Sequence, residues 1–227
     1  MPRLVRVFLL CCSASLGLAC SKATAPTTAT RLTQVGAPFG GLSATVGSSV
    51  TIAVQVADSR GNPLSGVGVT WNPVLNAGHL SSATGTTDAQ GNASVQWTLD
   101  TLAGTNTISA TALGAVPLTI SATGTSAAAS HFLKVSGDSQ SVAINAIVPA
   151  PLIVRVTDRY GNPVVTLPNI SWDGGSCSYA ANGGAVGDSL GRWKLMVTMG
   201  AVRGTCTIDV STTAVPGTTI VFTLTAT

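Results

Sequence analysis

The phrase Val54-Gln55-Val56-Ala57-Asp58-Ser59-Arg60-Gly61-Asn62-Pro63-Leu64 returns as Val154-Arg155-Val156-Thr157-Asp158-Arg159-Tyr160-Gly161-Asn162-Pro163-Val164, 100 residues later. The register persists well beyond this phrase. Trp172 answers Trp71 at a spacing of 101, while Asp188-Ser189-Leu190-Gly191 answers Asp88-Ala89-Gln90-Gly91 at 100. Arg203-Gly204-Thr205-Cys206-Thr207-Ile208 answers Ala103-Gly104-Thr105-Asn106-Thr107-Ile108, again at 100. A chain that repeats itself at this interval is one module written twice, and ~100 residues is the size of a single β-sandwich.

The residues inside each copy support that reading. Val50, Ile52, Val54 and Val56 alternate with Thr51, Ala53, Gln55 and Ala57, the period of a half-buried strand, and Asp58 to Pro63 ends the run in a turn. Val67, Val69 and Trp71 share one face of the next strand. Asp88 to Gly91 has the composition of a type I turn, so it and the alternating Ala93, Val95, Trp97 and Leu99 predict a hairpin. There is no Glu, only 8% of residues are charged, and β-branched runs are broken by 25 Gly and 11 Pro. That palette predicts an all-β chain with almost no helix.

The first 20 residues read as a targeting segment. Arg3 and Arg6 form a basic start, Val7 to Leu18 is apolar but too short to span a bilayer, and Ala19-Cys20 offers a cleavage point. Leu16-Gly17-Leu18-Ala19-Cys20 resembles the lipobox of bacterial lipoproteins, which implies that Cys20 is lipidated and becomes the new N-terminus. Ser21 after it suggests sorting to an outer membrane where the envelope has two. The expected division is a signal peptide over 1–19, a lipidated cysteine and flexible tether over 20–31, a first sandwich over 32–125, a linker over 126–131 and a second sandwich over 132–227. His131 falls in that linker.

Of five cysteines, Cys11 and Cys12 leave with the signal, Cys20 carries the lipid, and Cys177 and Cys206 remain. In an oxidising compartment this last pair reads as a disulfide, because no histidine accompanies it as a further metal ligand. Without Arg3 and Arg6, 9 basic residues face 8 acidic ones, which gives no electrostatic case for nucleic acid.

The pattern V-x-V-x-D-x-x-G-N-P-[LV], then a Val-rich strand ending in Trp, then T-T-D-A-x-G-x-A, resembles the bacterial immunoglobulin-like (Ig-like) domain of group 1, found in invasin and intimin. The resemblance spans about Leu32 to Thr227. The second copy departs from the pattern at Pro163 to Leu167 and at Val186-Gly187. Membership implies a stalk-like sandwich that spaces or displays other parts. The barrel and lectin-like tip of invasin-type adhesins are not recognisable in these residues.

Gly187-Asp188-Ser189-Leu190-Gly191 fits G-x-S-x-G, but a serine nucleophile needs a base, both histidines precede it, and the first copy has Ala89-Gln90 in its place. Asp58, Asp88, Asp158 and Asp188 each stand alone in a Gly-containing turn, where a carboxylate accepts backbone N–H groups more readily than it joins a calcium shell. The turn motif Asp58, Gly61, Asn62, Pro63 and its copy Asp158, Gly161, Asn162, Pro163 is therefore read as structural. Trp71, Trp97, Trp172 and Trp193 are expected in cores.

The functional expectation is a non-catalytic cell-envelope lipoprotein with no metal or cofactor, bound to the membrane through its lipid. It would have a structural, display or adhesion role toward an extracellular protein or glycan. The alternative is a carbohydrate- or ligand-binding module gripping a polymer with exposed aromatic rings. The sequence leaves open which face of the membrane carries the protein and its oligomeric state.

Overall fold

A computed structural model describes residues 28–36, 41–166 and 169–227. The expected signal, Cys20 and most of the tether lie outside the described residues. Among the described residues every regular element is a strand, and no helix is long and apolar enough to cross a membrane.

The first half comprises β1 (Arg31–Val35), β2 (Ser43–Thr45), β3 (Ser49–Ala57), β4 (Gly68–Leu75), β5 (His79–Leu80), β6 (Thr84–Thr86), β7 (Asn92–Thr98), β8 (Gly104–Ala112) and β9 (Leu118–Thr125). One sheet runs β1-β3-β7-β5 and the other β2-β9-β8-β4-β6. The chain changes sheet between β1 and β2, and β2 pairs with β9 in parallel. Alternation sets the packing: Ile52, Val54, Val56, Ala93, Val95 and Trp97 of one sheet face Val69, Trp71, Ile108, Ala110 and Ile120 of the other. Trp71 and Trp97 are almost wholly buried there, so truncating either to Ala would cost about 3–5 kcal/mol.

The second half comprises β10 (Ala129–Ser136), β11 (Gln140–Val142), β12 (Leu152–Asp158), β13 (Ile170–Asp173), β14 (Tyr179–Ala181), β15 (Val186–Gly187), β16 (Arg192–Leu195), β17 (Val197–Met199), β18 (Gly204–Thr212) and β19 (Thr219–Ala226). Its sheets run β10-β12-β16-β15 and β11-β19-β18-β13, with β14-β17 as a two-stranded addition. It has its own core around Val154, Leu195, Ile208, Val210 and Phe222. The 100-residue register is structural: Val54 opposes Ala93 in β3–β7, and Val154 opposes Trp193 in β12–β16. The two copies thus place their rings differently: Trp97 is buried in the first core, whereas Trp193 of the second answers Ala93 and the fully buried ring there is Phe222. Trp172 and Trp193 are only partly buried, packed against the second core.

Three local expectations are corrected. The turn Asp88–Gly91 does not close a hairpin in the first half, because β6 pairs with β4 and β7 with β3 and β5, so the turn carries the chain between sheets. In the second half the equivalent turn does close a hairpin, β15–β16. The linker is shorter than 126–131, since β10 begins at Ala129 and His131 pairs with Thr157 inside it. The tether also gives way early. Ala29 is buried against the first core and the Thr30 N–H donates to Ala57 O at 3.0 Å.

Candidate functional site

All four repeated aspartates make the same turn. Asp58 Oδ1 accepts the N–H groups of Arg60 and Asn62 at 2.8 and 2.9 Å, and Asp158 Oδ1 those of Tyr160 and Asn162 at the same two distances. Asp88 and Asp188 likewise accept from the residues two and four positions on. Each carboxylate thereby offsets donors its own turn would leave unpaired. Gly91 and Gly191 complete the arrangement with positive φ, +75° and +69°. A Cβ on either would lie 2.7 or 2.6 Å from the carbonyl oxygen of Val56 or Val156, so only glycine fits.

Ser189 sits at the exposed tip of one such turn. His131 instead directs Nδ1 to Asp158 O at 3.2 Å, and His79 lies in β5 of the other half. We expect Ser189→Ala to change stability by no more than about 0.5 kcal/mol and to leave reactivity toward serine-directed fluorophosphonate probes unchanged. Loss of labelling in that variant would revive the nucleophile. Among the described residues no group of three or more His, Cys, Asp or Glu is placed to hold a metal ion.

The two Asn-Pro turns share a sequence but differ in setting. Asn62 is exposed, and its Nδ2 donates to Asp58 Oδ2 at 3.0 Å. Asn162 is buried, with 3% of its surface exposed, because it lies between the halves. Its Nδ2 donates to Asp158 Oδ2 at 2.9 Å and to Thr101 O at 2.7 Å, and its Oδ1 accepts the Ala103 N–H at 2.8 Å. Asp158 Oδ2 also accepts the N–H of Ala127, in the connector, at 2.9 Å. One side-chain pair therefore holds the second half's turn, the connector and the loop between β7 and β8 of the first half.

Tyr160 adds a steric contact to the same junction. Gly47 has φ +71°, and a Cβ there would lie 3.0 Å from the Tyr160 hydroxyl. The Arg159 guanidinium stands 4.6 Å from the Tyr160 ring centroid. Beside them a shallow crevice of about 420 Å³ runs between Thr45, Gly47 and Ser48 on one side and Ala127 and Arg159 on the other.

Electrostatics follow the hydrogen bonds. Burial raises the cost of ionising Asp158, but the Asn162 amide and the N–H groups of Ala127, Asn162 and Tyr160 outweigh it and hold the carboxyl below the ordinary 3.8. For Asp58 the Asn62 side-chain amide is the largest influence, and the carboxyl is again held low. A carboxylate with a depressed folded pKa contributes stability that is present above its unfolded value and lost as pH falls through the folded one. We therefore expect both halves to keep their thermal midpoints down to the ordinary carboxylate range and to lose stability below it. Asp158→Asn should flatten that acid limb for the second half, as measured by calorimetry across a pH series.

What these features define is a class: an all-β chain of Ig-like sandwiches whose repeated turn serves structure and, in its second copy, the contact between halves. Residues 42–128 match the family model of the bacterial Ig-like domain (group 1). A search of curated proteins returned no match. Among solved structures, an Escherichia coli adhesin, FdeC, is similar at 17% identity and a TM-score of 0.51, over 86% of this chain and 64% of that one. Yersinia pseudotuberculosis InvD is similar at 19% identity and a TM-score of 0.56, over 86% of this chain and 57% of that one. The present chain thus spans less than two thirds of the length of either, and at these identities the likeness is one of fold.

The sequence reading missed the junction because Asn62 and Asn162 carry the same letters. The available signal was Tyr160 in place of Arg60, an aromatic ring at a turn position that is otherwise polar.

Proposed function

We propose that this chain is a non-catalytic cell-envelope protein in which two Ig-like sandwiches, about 29–125 and 129–227, form one stiff unit with a structural, display or adhesion role. The carrying observation is Asn162, which is buried and bonded to both halves. A flexible string of domains gains nothing from burying a polar side chain at its joint. A spacer does, because each of the two hydrogen bonds that Asn162 makes to Thr101 O and the Ala103 N–H adds about 0.5–1.5 kcal/mol against opening. The fold likeness to a bacterial adhesin supports the same role.

In this reading the unit hangs from a lipid on Cys20, with the multiple acyl chains of a bacterial lipoprotein supplying a durable anchor. It faces an extracellular protein or glycan. The aromatic platform required for a polymer-gripping module finds little support: among the described residues the one exposed Trp, Tyr or Phe is Tyr160, at 39%, and it lies against Gly47.

The test is fractionation of cells expressing the full precursor with Cys20→Ala. The wild-type protein should sediment with membranes and the variant should not. Membrane retention of the variant would overturn the anchor, and degradation of the wild type by protease added to intact cells would assign the outer face.

A further inference from the structure

We infer that Asn106 is the positioning residue that makes the foot of the first sandwich a coupling surface, and that the foot of the second, with Cys206 at the counterpart position, lacks this preparation. The inference rests on the stiff-unit reading and goes beyond it by naming what prepares the joint and why only one of two similar feet is prepared.

The two atoms that Asn162 engages, Thr101 O and the Ala103 N–H, belong to a short loop between β7 and β8. Within the loop Asp100 Oδ1 accepts the Thr101 N–H at 2.6 Å and the Thr101 hydroxyl at 3.3 Å, but both bonds join neighbours and neither ties the loop to the sandwich. Asn106, fully buried at the start of β8, does: its Oδ1 accepts the Asp100 N–H at 2.8 Å and its Nδ2 donates to Gly104 O at 3.1 Å. The two bonds fasten the loop on either side of residues 101–103. Asp100 O in turn accepts the Gly47 N–H at 3.1 Å, which ties in the segment beneath Tyr160. A chain of contacts therefore runs from Asn106 through the loop to Asn162.

The second half solves the same backbone problem by another route. Its counterpart of Asn106 is Cys206, bonded to Cys177 with a Cα–Cα distance of 4.8 Å. The counterpart of the Asp100 N–H is that of Gly200, which donates to Ser178 O at 2.8 Å, next to the disulfide. A Cβ on residue 200 would lie 2.6 Å from that oxygen, so the arrangement demands Gly200. Gly104 and Gly204 keep the same unusual φ, +126° and +125°. Asn145, with φ +56°, takes the place of Gly47, and its N–H donates to Gly200 O at 3.2 Å. The foot is braced from the side by a covalent bond, and its loop of Ala201, Val202 and Arg203 stands exposed, Val202 at 75%. Both loops project an aliphatic residue, Leu102 at 55% and Val202 at 75%; the difference is that the first foot has a buried polar side chain shaping a loop to be gripped and the second has a disulfide.

The experiment uses the full mature chain, with 15N relaxation measured separately over the two halves and hydrogen exchange followed at the Ala103 amide. In the wild type both halves should report one common tumbling behaviour. In Asn106→Ala, with the amide spectrum of each half still dispersed, Ala103 exchange should rise by about tenfold and the halves should tumble with separate correlation times. Asn106→Ser, isosteric with the cysteine at the counterpart position, repeats the test should the alanine variant fail to fold. Asn162→Ala serves as the reference for an uncoupled joint. If Asn162→Ala uncouples the halves and neither Asn106 variant does, the inference is wrong while the stiff unit stands. If the wild type already tumbles as two bodies, the underlying reading is wrong as well.

Discussion

Replacing Cys177 and Cys206 together with serine should lower the stability of the second sandwich by about 3–4 kcal/mol and leave the first nearly unchanged. The bond closes a loop over a separation of 29 residues, and removing such a cross-link returns that much chain entropy to the unfolded state. For a domain of this size the loss corresponds to roughly 15–25 °C in thermal midpoint. The bond also holds the stretch from which Ser178 O reaches the Gly200 N–H, so the variant loosens the foot as well as the loop. Calorimetry of the double-serine chain should show two separated transitions, the lower one assigned to residues 129–227 by loss of their amide signals. An unshifted second transition would mean that Cys177 is held by the core around it, where it is buried, and that the bond adds nothing.

Asp158→Ala should cost about 3 kcal/mol. It removes the acceptor for three backbone N–H groups, those of Ala127, Tyr160 and Asn162, and for the Asn162 amide, at a fully buried position. Its copy makes an informative contrast. Asp58→Ala removes the same turn bonds at the opposite end of the first half, away from the junction, so it should loosen that turn without altering how the halves sit together. A stability loss in Asp158→Ala that leaves Ala127 and Ala103 amide exchange unchanged would confine Asp158 to its own turn.

Much of the fold was legible because its causes are local and periodic. Alternation at Val50–Val56 placed β3, Asp88 and Asp188 marked their turns, and Cys177 and Cys206 were the remaining pair. What escaped depended on partners distant in sequence. Whether Asp88–Gly91 closes a hairpin is decided by which strand β6 joins, and the outcome differs between the copies because Val186-Gly187 pairs with β16 while Thr84–Thr86 pairs with β4. His131 was placed in a linker because the small residues before it suggested a hinge, yet pairing with β12 extends the strand to Ala129. By its letters Asn106 is an ordinary polar residue in a strand whose counterpart carries Cys206. Its role becomes visible only when the loop it fastens is seen to meet Asn162, 56 residues on.

The central claim is that Asn162 joins the halves into one stiff unit, and residual dipolar couplings from the weakly aligned mature protein test it most directly. Couplings from residues 41–125 and 129–227 should fit a single alignment tensor in the wild type and require two in Asn162→Ala. Two unrelated tensors in the wild type, with both sandwiches folded, would contradict the account.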